Sequence, residues 1–558
     1  MTESRFERFL EGGWRGPLFA ALVALVAGLP GALMLPTTDR DEARFAQATA
    51  QMLESRDFVS INFEDQPRYK KPVGIHWLQA LSVAALSSVE KRQIWAYRVP
   101  SLLGAMAAAA ACAWGAAAFW GPRGGAVAGA VLGSSLLLST EALLATTDAA
   151  LCGAVTVMMA ALARVYAASR GEAVATARTK ALFWAGLAVS ILLKGPIGPM
   201  VAILSIGALW AWDRRAPWLP RLGWTWGLAL VLLICGPWAL AITVATDGAF
   251  WSGAVMGDMA SKLAHGQESH YAPPGLHALL APALLFPATA VLPAAALHAW
   301  KARTSTGTKF ALCWLIPSWI IFELAPTKLP HYPLPLYGAL AWLVAAALAE
   351  PSGRPVRLIG AGLGLLAAAL IAGGGIYAAV TYRGAGSLPW SVLAGALLLA
   401  SAAAGAFLML FRRRSTLALA VAGGLAVLGH DVQAAGLAPS LKPLWVSRRT
   451  AVALRHMGLD PRNGVVPGPV AVAGDPEPSM VFLLGSRTDL GPGEVAAAAI
   501  AEGRPAVVEA SERQEFFDAL KAQDARAQPV AQVKGLNYSK GKPVDLILYR
   551  SLETGDRP

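Results

Sequence analysis

Charged residues are scarce in this chain of 558 residues, since only 15% are Asp, Glu, Lys or Arg whereas 55% are hydrophobic. Soluble domains usually carry about 25% charged residues. The mean hydropathy is +0.49, and apolar runs of the roughly 20 residues needed to cross a bilayer recur over about the first 435 positions. This composition excludes an ordinary soluble protein and predicts an α-helical polytopic membrane protein.

Cysteine and phosphate-binding loops are also scarce. The four cysteines, Cys112, Cys152, Cys235 and Cys313, all fall inside apolar runs, which excludes a disulfide framework and a cysteine-based metal site. No strand is followed by a Gly-rich loop of the G-x-x-x-x-G-K-[ST] or Rossmann type. No A-x-A-like site follows the first apolar run, so we predict no cleavable signal peptide.

The net charge of +12 has two interpretations, nucleic-acid binding or membrane topology. Most basic residues lie in short loops between apolar runs, which indicates topology and no nucleic-acid partner. We predict about thirteen spans, at 17–35, 97–118, 124–140, 148–169, 181–194, 196–212, 223–246, 275–300, 310–326, 333–350, 356–381, 388–411 and 415–437. With the N-terminus in the cytoplasm, the short inner loops hold many arginines, whereas the short outer loops hold only Lys194, Lys262, Lys328 and Arg383, as the positive-inside rule requires.

Two regions outside the membrane are long in this topology. The transmembrane domain covers 1–437 and includes a first outer loop at 36–96 with juxtamembrane helices. The tail, 438–558, mixes short β-like runs such as PVAVAG and VDLILYR with one helical stretch. We predict that it is a small soluble α/β domain on the outer face.

The outer ends of the spans collect the unusual polar residues, and ionisable groups at a membrane boundary indicate function. The segments are DRDEARF at 39–45, RYKKPVG at 68–74, TTDAA at 146–150, LLKGP at 192–196, KLAHGQESHYAPP at 262–274 and PTKLPHYPLP at 326–335. Their shared face is stronger evidence for one site than any single residue.

The segment DRDEARF has a structural and a functional interpretation. Thr38 or Asp39, with Asp41 or Glu42 three residues later, fits a capping box at the start of an interfacial helix. A cap does not explain why Arg44 lies one helical turn from Asp41, on the same face. The D-x-D pattern also fits a metal-bound nucleotide-sugar, but such donors are not expected outside the cell.

The other segments carry similar alternatives. The cations of RYKKPVG suit either lipid headgroups or a phosphate site. Asp148 is placed to cap a helix, and Lys194 and Lys328 are placed to extend to the interface. The group His265, Glu268 and His270 is a weak metal candidate, because its spacing matches neither one helix face nor a common zinc motif.

The ordered motifs D-E-A-R-F, K-K-P-V-G, T-T-D, L-K-G-P and K-L-P-H-Y-P-L-P resemble a known family. The chain is similar to bacterial membrane glycosyltransferases of the lipid A aminoarabinose transferase and protein O-mannosyltransferase kind (families 83 and 39, GT-C fold). The resemblance covers most of the membrane region and extends loosely to the tail. It implies a donor whose sugar is carried on a polyprenyl phosphate.

The resemblance also implies roles for individual residues. Asp41 and Asp148 match the family's catalytic acids. Arg44 and Lys71 match positions that handle the donor phosphate, and Lys328 and Tyr332 match the K-L-P-x-Y segment that lines the cavity. From their place among the outer-face segments we also assign residues beyond the resemblance: Lys70 and Lys328 to the donor phosphate, and Glu42, Lys194, His265 and His270 to the substrate cavity. The aminoarabinose transferases typically carry an acid, which can join a metal site, where this chain has Lys70. The sequence therefore identifies no definite cofactor, and Lys70 in place of the acid disfavours a divalent metal.

These observations predict an inverting glycosyltransferase of the bacterial inner membrane. It would move a sugar from a polyprenyl-phosphate donor to an envelope acceptor on the periplasmic face. Lipid A or lipopolysaccharide is the favoured acceptor. Two alternatives stay open: transfer to Ser or Thr of secreted proteins, and a lipid or sugar transporter. A transporter would place its decisive charges near the bilayer midplane, whereas these charges lie at the outer boundary.

Overall fold

The computed structural model describes residues 12–254, 272–382, 384, 386–411, 416–461 and 468–552. The helices of the first part are α1 Arg15–Met34, α2 Asp41–Ser55, α3 Gly74–Leu86, α4 Ile94–Gly133, α5 Leu136–Ala142, α6 Asp148–Ala168, α7 Ala177–Lys194, α8 Ile197–Asp213, α9 Trp224–Ala245 and α10 Ala249–Trp251. They continue with α11 Leu276–Leu284, α12 Leu292–Lys301, α13 Thr306–Leu324, α14 Tyr337–Ala349, α15 Arg354–Tyr382, α16 Ser387–Leu410, α17 Thr416–Asp431 and α18 Ala438–Ser440.

Within the described ranges, seven helices are long and apolar enough to cross a membrane, or eight if the bent pair α11 and α12 forms one span. The chain is therefore a multi-pass membrane protein, as its composition predicts. The 40-residue helix α4 is broken at Gly121, whose φ of 71° and ψ of 174° are not helical. This break falls between the predicted spans 97–118 and 124–140.

Several predicted spans correspond to shorter elements. The predicted span 124–140 is interrupted, since α4 ends at Gly133 and α5 begins at Leu136. At this break the hydroxyls of Ser134 and Ser135 donate to the carbonyls of Ala130 and Leu132, and such local bonds compete with the helical ladder. The predicted spans 196–212 and 333–350 contain the 17-residue helix α8 and the 13-residue helix α14.

Glycine permits two close helix contacts that bring the quoted polar segments together. A Cβ on Gly104 of α4 would lie 2.4 Å from the Cα of Ala150, so α4 and α6 cross in direct backbone contact. A Cβ on Gly74 would lie 2.6 Å from the carbonyl oxygen of Leu192. The glycine of K-K-P-V-G therefore lets this segment approach the end of α7, where Lys194 lies.

The start of α2 differs from the predicted capping box. Arg40 occupies the N-cap position, and no side-chain cap hydrogen bond is made there. The Thr38 hydroxyl acts here as a donor and not as a cap, because it and the Thr38 backbone N both donate to Glu42 Oε2, at 2.9 and 2.8 Å. The prediction fails because the Glu42 carboxylate, held by a distant arginine, accepts the bonds instead.

The C-terminal α/β region, residues 438–552 as far as the structure describes them, contains a five-stranded mixed sheet. Its elements are α19 Val446–His456, β3 Ala471–Ala473, α20 Pro478–Leu484, β4 Asp489–Gly491, α21 Gly493–Ala501, β5 Ala506–Glu509, α22 Arg513–Ala522, β6 Ala527–Asn537 and β7 Lys542–Ser551. The strand order is β4-β3-β5-β7-β6. Strand β3 pairs in parallel with β4 and β5, whereas β7 pairs antiparallel with β5 and β6. A two-stranded ribbon, β1 Asn62–Phe63 and β2 Gln66–Pro67, precedes the K-K-P segment.

Candidate active site

The first turn of α2 places a carboxylate and a guanidinium group next to each other. Arg44 Nη1 lies 3.8 Å from Asp41 Oδ1, one helical turn away as the spacing predicts. The Asp41 side chain is 59% exposed and that of Arg44 is 29% exposed. Both side chains are therefore accessible to a ligand at the start of the helix.

Two further cations lie over Phe45, the next residue along this helix. Lys71 Nζ lies 4.9 Å and Arg68 Cζ 5.3 Å from the centroid of the Phe45 ring. The ring is 1% exposed, and its faces attract cations through the aromatic quadrupole. Phe45 thus holds two cations beside the Asp41–Arg44 pair.

The charges around Asp41 lower the pKa of its carboxyl. Burial among neighbouring atoms raises this pKa, but Lys71, Arg68 and Arg44 together outweigh that effect, with Asp148 acting in the opposite direction. Asp41 is therefore ionised at neutral pH. The same balance shows that the two predicted catalytic acids act on each other electrostatically, although they are far apart in sequence.

Asp148 begins α6 and is surrounded by basic groups. Its Oδ1 forms a short ion pair with Lys194 Nζ at the end of α7, and its Oδ2 lies 3.8 Å from His331 Nε2. The other ring nitrogen of His331, Nδ1, lies 3.4 Å from Glu141 Oε1. Glu141 and Asp148 are both buried. Each of these buried carboxylates is thus paired with a cation or a histidine, as buried charges require.

Tyr332 adjoins this group through its aromatic ring. Lys194 Nζ lies 5.3 Å from the ring centroid, and the ring of His331 is edge-on to it at 5.4 Å. The K-L-P-H-Y segment therefore meets the L-K-G-P segment at the start of α6. The structure brings six of the predicted residues into one neighbourhood: Asp41, Arg44, Lys71, Asp148, Lys194 and Tyr332.

Glu42 faces away from this neighbourhood and is 2% exposed. Its oxygens accept from Arg98 Nε at 2.7 Å and Arg98 Nη2 at 2.9 Å, and also from the backbone N of Ala145 at 2.8 Å. Arg98, which is fully buried, donates further to the carbonyls of Leu35 and Pro36. Every acceptor site of Glu42 is directed at the protein, so we assign it to positioning α2 against α4 rather than to the substrate cavity.

Lys328 and Lys70 lie differently from the prediction. Lys328 is 4% exposed, and its Nζ donates to the carbonyls of Ala272 and Ala325 at 2.8 and 2.6 Å. It therefore stabilises the loop that carries the K-L-P segment. Lys70 is exposed, and within the described ranges its side chain forms no hydrogen bond, ion pair or ring contact. Arg68, rather than Lys70, accompanies Lys71 over Phe45.

The histidine group of the 262–274 segment lies outside the described residues. His265 and His270 were predicted to line the cavity, and with Glu268 they were the metal candidates. Across the ranges that the structure describes, no three His, Cys, Asp or Glu side chains form a group that could hold a metal ion.

Four residues that form or support the site were not selected from the sequence: Arg68, Glu141 and His331 in the neighbourhood itself, and Arg98 behind Glu42. Arg68 and His331 stand inside motifs that were quoted, so their signal was a charge or imidazole within a segment already singled out. Arg98 lies at the start of one apolar run and Glu141 at the end of another, and a charge inside an otherwise apolar segment is itself a signal of function or pairing.

Comparison with known proteins supports the resemblance, although no family model matches the chain. An undecaprenyl phosphate-alpha-4-amino-4-deoxy-L-arabinose arabinosyl transferase of Erwinia tasmaniensis is 29% identical over 336 residues, 59% of this chain and 58% of that protein. A transferase of the same name from Pseudomonas fluorescens is 28% identical over 360 residues, 62% of this chain and 58% of that protein. The matched part thus spans less than two thirds of each relative.

Solved structures share the fold over nearly the whole chain. The crystal structure of ArnT from Cupriavidus metallidurans bound to undecaprenyl phosphate superimposes with a TM-score of 0.76 at 19% identity, covering 97% of this chain and 98% of that one. An Archaeoglobus fulgidus oligosaccharyltransferase tethered to an acceptor peptide gives a TM-score of 0.51 at 10% identity, covering 94% and 70%. The similarity to the aminoarabinose transferases that the motifs predict is confirmed.

Proposed function

We propose that this protein is a membrane glycosyltransferase that moves a sugar from a polyprenyl-phosphate donor to lipid A or lipopolysaccharide. The observation that carries the proposal is the group of three cations, Arg44, Arg68 and Lys71, that surrounds the ionised Asp41 beside apolar helices. Such a site suits a substrate that has both an apolar lipid chain and an anionic group. The relatives named for undecaprenyl phosphate-linked aminoarabinose support this choice of donor.

The cations have a defined task in this chemistry. The bond between the anomeric carbon and the phosphate oxygen breaks, and the polyprenyl phosphate leaves with the electron pair and one additional negative charge. The acceptor oxygen forms the new bond from the opposite face, so the configuration inverts. Arg44, Arg68 and Lys71 stabilise the charge that develops on the phosphate, which is the form of catalysis that preorganised cations supply best.

Asp41 is better suited to positioning than to proton abstraction. The neighbouring cations hold its pKa below the usual range of a carboxyl, and a general base works best when its pKa lies near the operating pH. A phosphate acceptor, as lipid A offers, needs no base because it is already ionised. The electrostatics of Asp41 therefore favour a phosphate acceptor over the hydroxyl of Ser or Thr.

Asp148 belongs to the same site through its charge. We assign it a supporting catalytic role, in which the Lys194 ion pair and His331 fix its carboxylate near Asp41. Tyr332 stands on the other side of Lys194 and would line the donor cavity.

The proposed orientation places this site outside the cytoplasm. About thirteen membrane crossings, with the N-terminus cytoplasmic and the C-terminal α/β region periplasmic, would put the basic inner loops on the cytoplasmic side of the bacterial inner membrane. The polar segments at the outer ends of the spans then face the leaflet where lipid-linked sugars are available.

The experiment is transfer by the purified protein in liposomes that contain lipid A and undecaprenyl phosphate-α-4-amino-4-deoxy-L-arabinose. We expect a sugar-modified lipid A that mass spectrometry detects. The variant Asp41→Asn should retain part of its activity if the acceptor is a phosphate, whereas a hydroxyl acceptor needs the base and predicts near-complete loss. Modification of a Ser- or Thr-containing peptide, with lipid A left unchanged, would refute the lipid A assignment.

A further inference from the structure

The residue before Asp41 has an unfavourable backbone conformation. Arg40 adopts φ 60° and ψ −110°, a region that residues other than glycine occupy rarely. Such conformations persist only where the surrounding structure holds them, and they cluster at functional sites. The α2 N-cap makes no side-chain hydrogen bond to the helix, so local capping does not hold this conformation.

Contacts that hold it come from the C-terminal α/β region. The backbone N of Asp39 donates to Tyr538 Oη at 2.6 Å, and Arg40 Nη2 donates to the carbonyl of Ser539 at 2.6 Å. The hydroxyl of Ser479 also donates to Asp39 Oδ1 through a short hydrogen bond. The strained residue and its predecessor are therefore bonded to residues about 440 to 500 positions away.

The two segments that make these contacts are hydrogen-bonded to each other. Tyr538 and Ser539 lie in the turn between β6 and β7, and Asn537 at its base is 3% exposed. Asn537 Nδ2 donates to Asp475 Oδ1 at 2.9 Å and to Glu477 Oε1 at 2.7 Å. These two acids directly precede α20, which carries Ser479. The turn and the start of α20 are thus tied together before they meet Asp39 and Arg40.

A second contact fixes the same region further along α2. Gln47 Nε2 donates to Ser486 Oγ at 2.7 Å, and Arg92 donates to both Gln47 Oε1 and Ser486 Oγ, at 2.7 and 3.0 Å. The buried ring of Phe482 stands edge-on to that of Tyr97 at 5.2 Å. The C-terminal α/β region is therefore docked against α2 at two places, one of them at the strained residue.

We propose that Tyr538 is a positioning residue: through Asp39 it holds the strained Arg40 conformation and so sets where Asp41 and Arg44 stand in the active site. This inference rests on the proposed function for its activity readout. It gives the C-terminal α/β region a role in the reaction, because the contact is made on the residues that directly precede the candidate catalytic pair.

The test uses the full-length protein and the substitution Tyr538→Phe, which removes one oxygen atom and keeps the ring. Loss of one ordinary hydrogen bond predicts a fall in transfer rate of about tenfold. The matched control is Tyr549→Phe, on strand β7 of the same hairpin, where the ring packs against Phe516 within the region itself. It should change the rate by less than about twofold, as for a substitution away from special features.

A second background separates positioning from simple folding. Glycine adopts positive φ without strain, so Arg40→Gly removes the need for the contact. We expect Tyr538→Phe to lower the rate far less in the Arg40→Gly protein than in the native one. An equal loss in both backgrounds would overturn the proposal, because a purely structural tyrosine predicts that result.

Hydrogen exchange gives a readout that does not depend on activity. In Tyr538→Phe, amide exchange over residues 41–45 should rise while exchange in strands β3 and β5 stays unchanged. Unchanged exchange over 41–45 would overturn the positioning role even if the rate falls. If the native protein transfers no sugar at all, the proposed function fails, and the exchange comparison still decides whether Tyr538 holds the first turn of α2.

Discussion

Two adjacent lysines provide a matched test of the donor-phosphate site. Lys71 Nζ lies over Phe45 beside Asp41. The Lys70 side chain is exposed and forms no hydrogen bond, ion pair or ring contact in the part of the chain that the structure describes. The substitutions Lys71→Met and Lys70→Met remove the same charge and keep a similar side-chain length. If the structure identifies the phosphate ligand, the two variants must differ strongly.

The magnitude follows from the kind of bond that is lost. A hydrogen bond to a charged group contributes about 1.5–3 kcal/mol, and each 1.36 kcal/mol corresponds to about a tenfold change in an equilibrium constant. Lys71→Met should therefore weaken binding of the anionic lipid by about 10- to 150-fold. Lys70→Met should change it by less than about fivefold, because exposed charges contribute about 0–1 kcal/mol.

Undecaprenyl phosphate alone is the probe, since it requires no knowledge of the sugar. The dissociation constant would be measured with detergent-solubilised protein, for example by native mass spectrometry, and circular dichroism would check that each variant is folded. Equal weakening in both variants would show that general positive charge, rather than the Phe45-bound cation, holds the phosphate. Unchanged binding in Lys71→Met would refute the site assignment.

Three further predictions concern the groups around the site. Glu42→Gln should destabilise the protein by about 3 kcal/mol or more, because it leaves the buried Arg98 guanidinium without its counter-charge; an unchanged midpoint of thermal unfolding in detergent would contradict this. Lys194→Met should lower the transfer rate about tenfold or more, because it leaves the buried Asp148 carboxylate without its cation. Lys194→Arg keeps the charge and should retain most of the activity. Equal losses of rate in the two variants would contradict an electrostatic role for Lys194. Burial, together with the charges of Glu477 and Asp475, raises the pKa of Asp39 from 3.8 to about 7. Docking of the C-terminal α/β region should therefore be strongest at low pH and weaken as pH rises from about 4 to 7. Hydrogen exchange should show this pH dependence, and Asp39→Asn should abolish the pH dependence.

The sequence was most informative where a short spacing determined the contact. Asp41 and Arg44 lie three residues apart, and any helix beginning at the acid places them on one face. The apolar runs likewise predict the membrane class, because length and hydropathy suffice for that inference. That the motifs share the outer face of the membrane stays a prediction from the positions of the loops.

Contacts between distant segments could not be predicted from one sequence. Glu42 pairs with Arg98, 56 residues away, and Asp39 bonds with Ser479, 440 residues away. The choice between Lys70 and Lys71 also depends on tertiary packing, because the turn before Gly74 and the approach of Gly74 to Leu192 decide which lysine points at Phe45.

The capping box was predicted wrongly for the same reason. Local pattern favours Thr38 or Asp39 as the cap, but the Arg98 guanidinium holds Glu42 inward, and the C-terminal α/β region holds Asp39 outward. Tertiary contacts thus replaced a local motif at the start of the helix that carries Asp41. The strained Arg40 backbone is the visible consequence.

The most direct test of the central claim is mass spectrometry of lipid A from a strain with the gene, a strain without it, and a strain that carries only Lys71→Met. The account predicts that lipid A gains the mass of one sugar residue with the native gene, and that this species is absent without the gene and strongly reduced with Lys71→Met. Lipid A of identical mass in all three strains, under conditions in which the protein is present in the membrane, would contradict it.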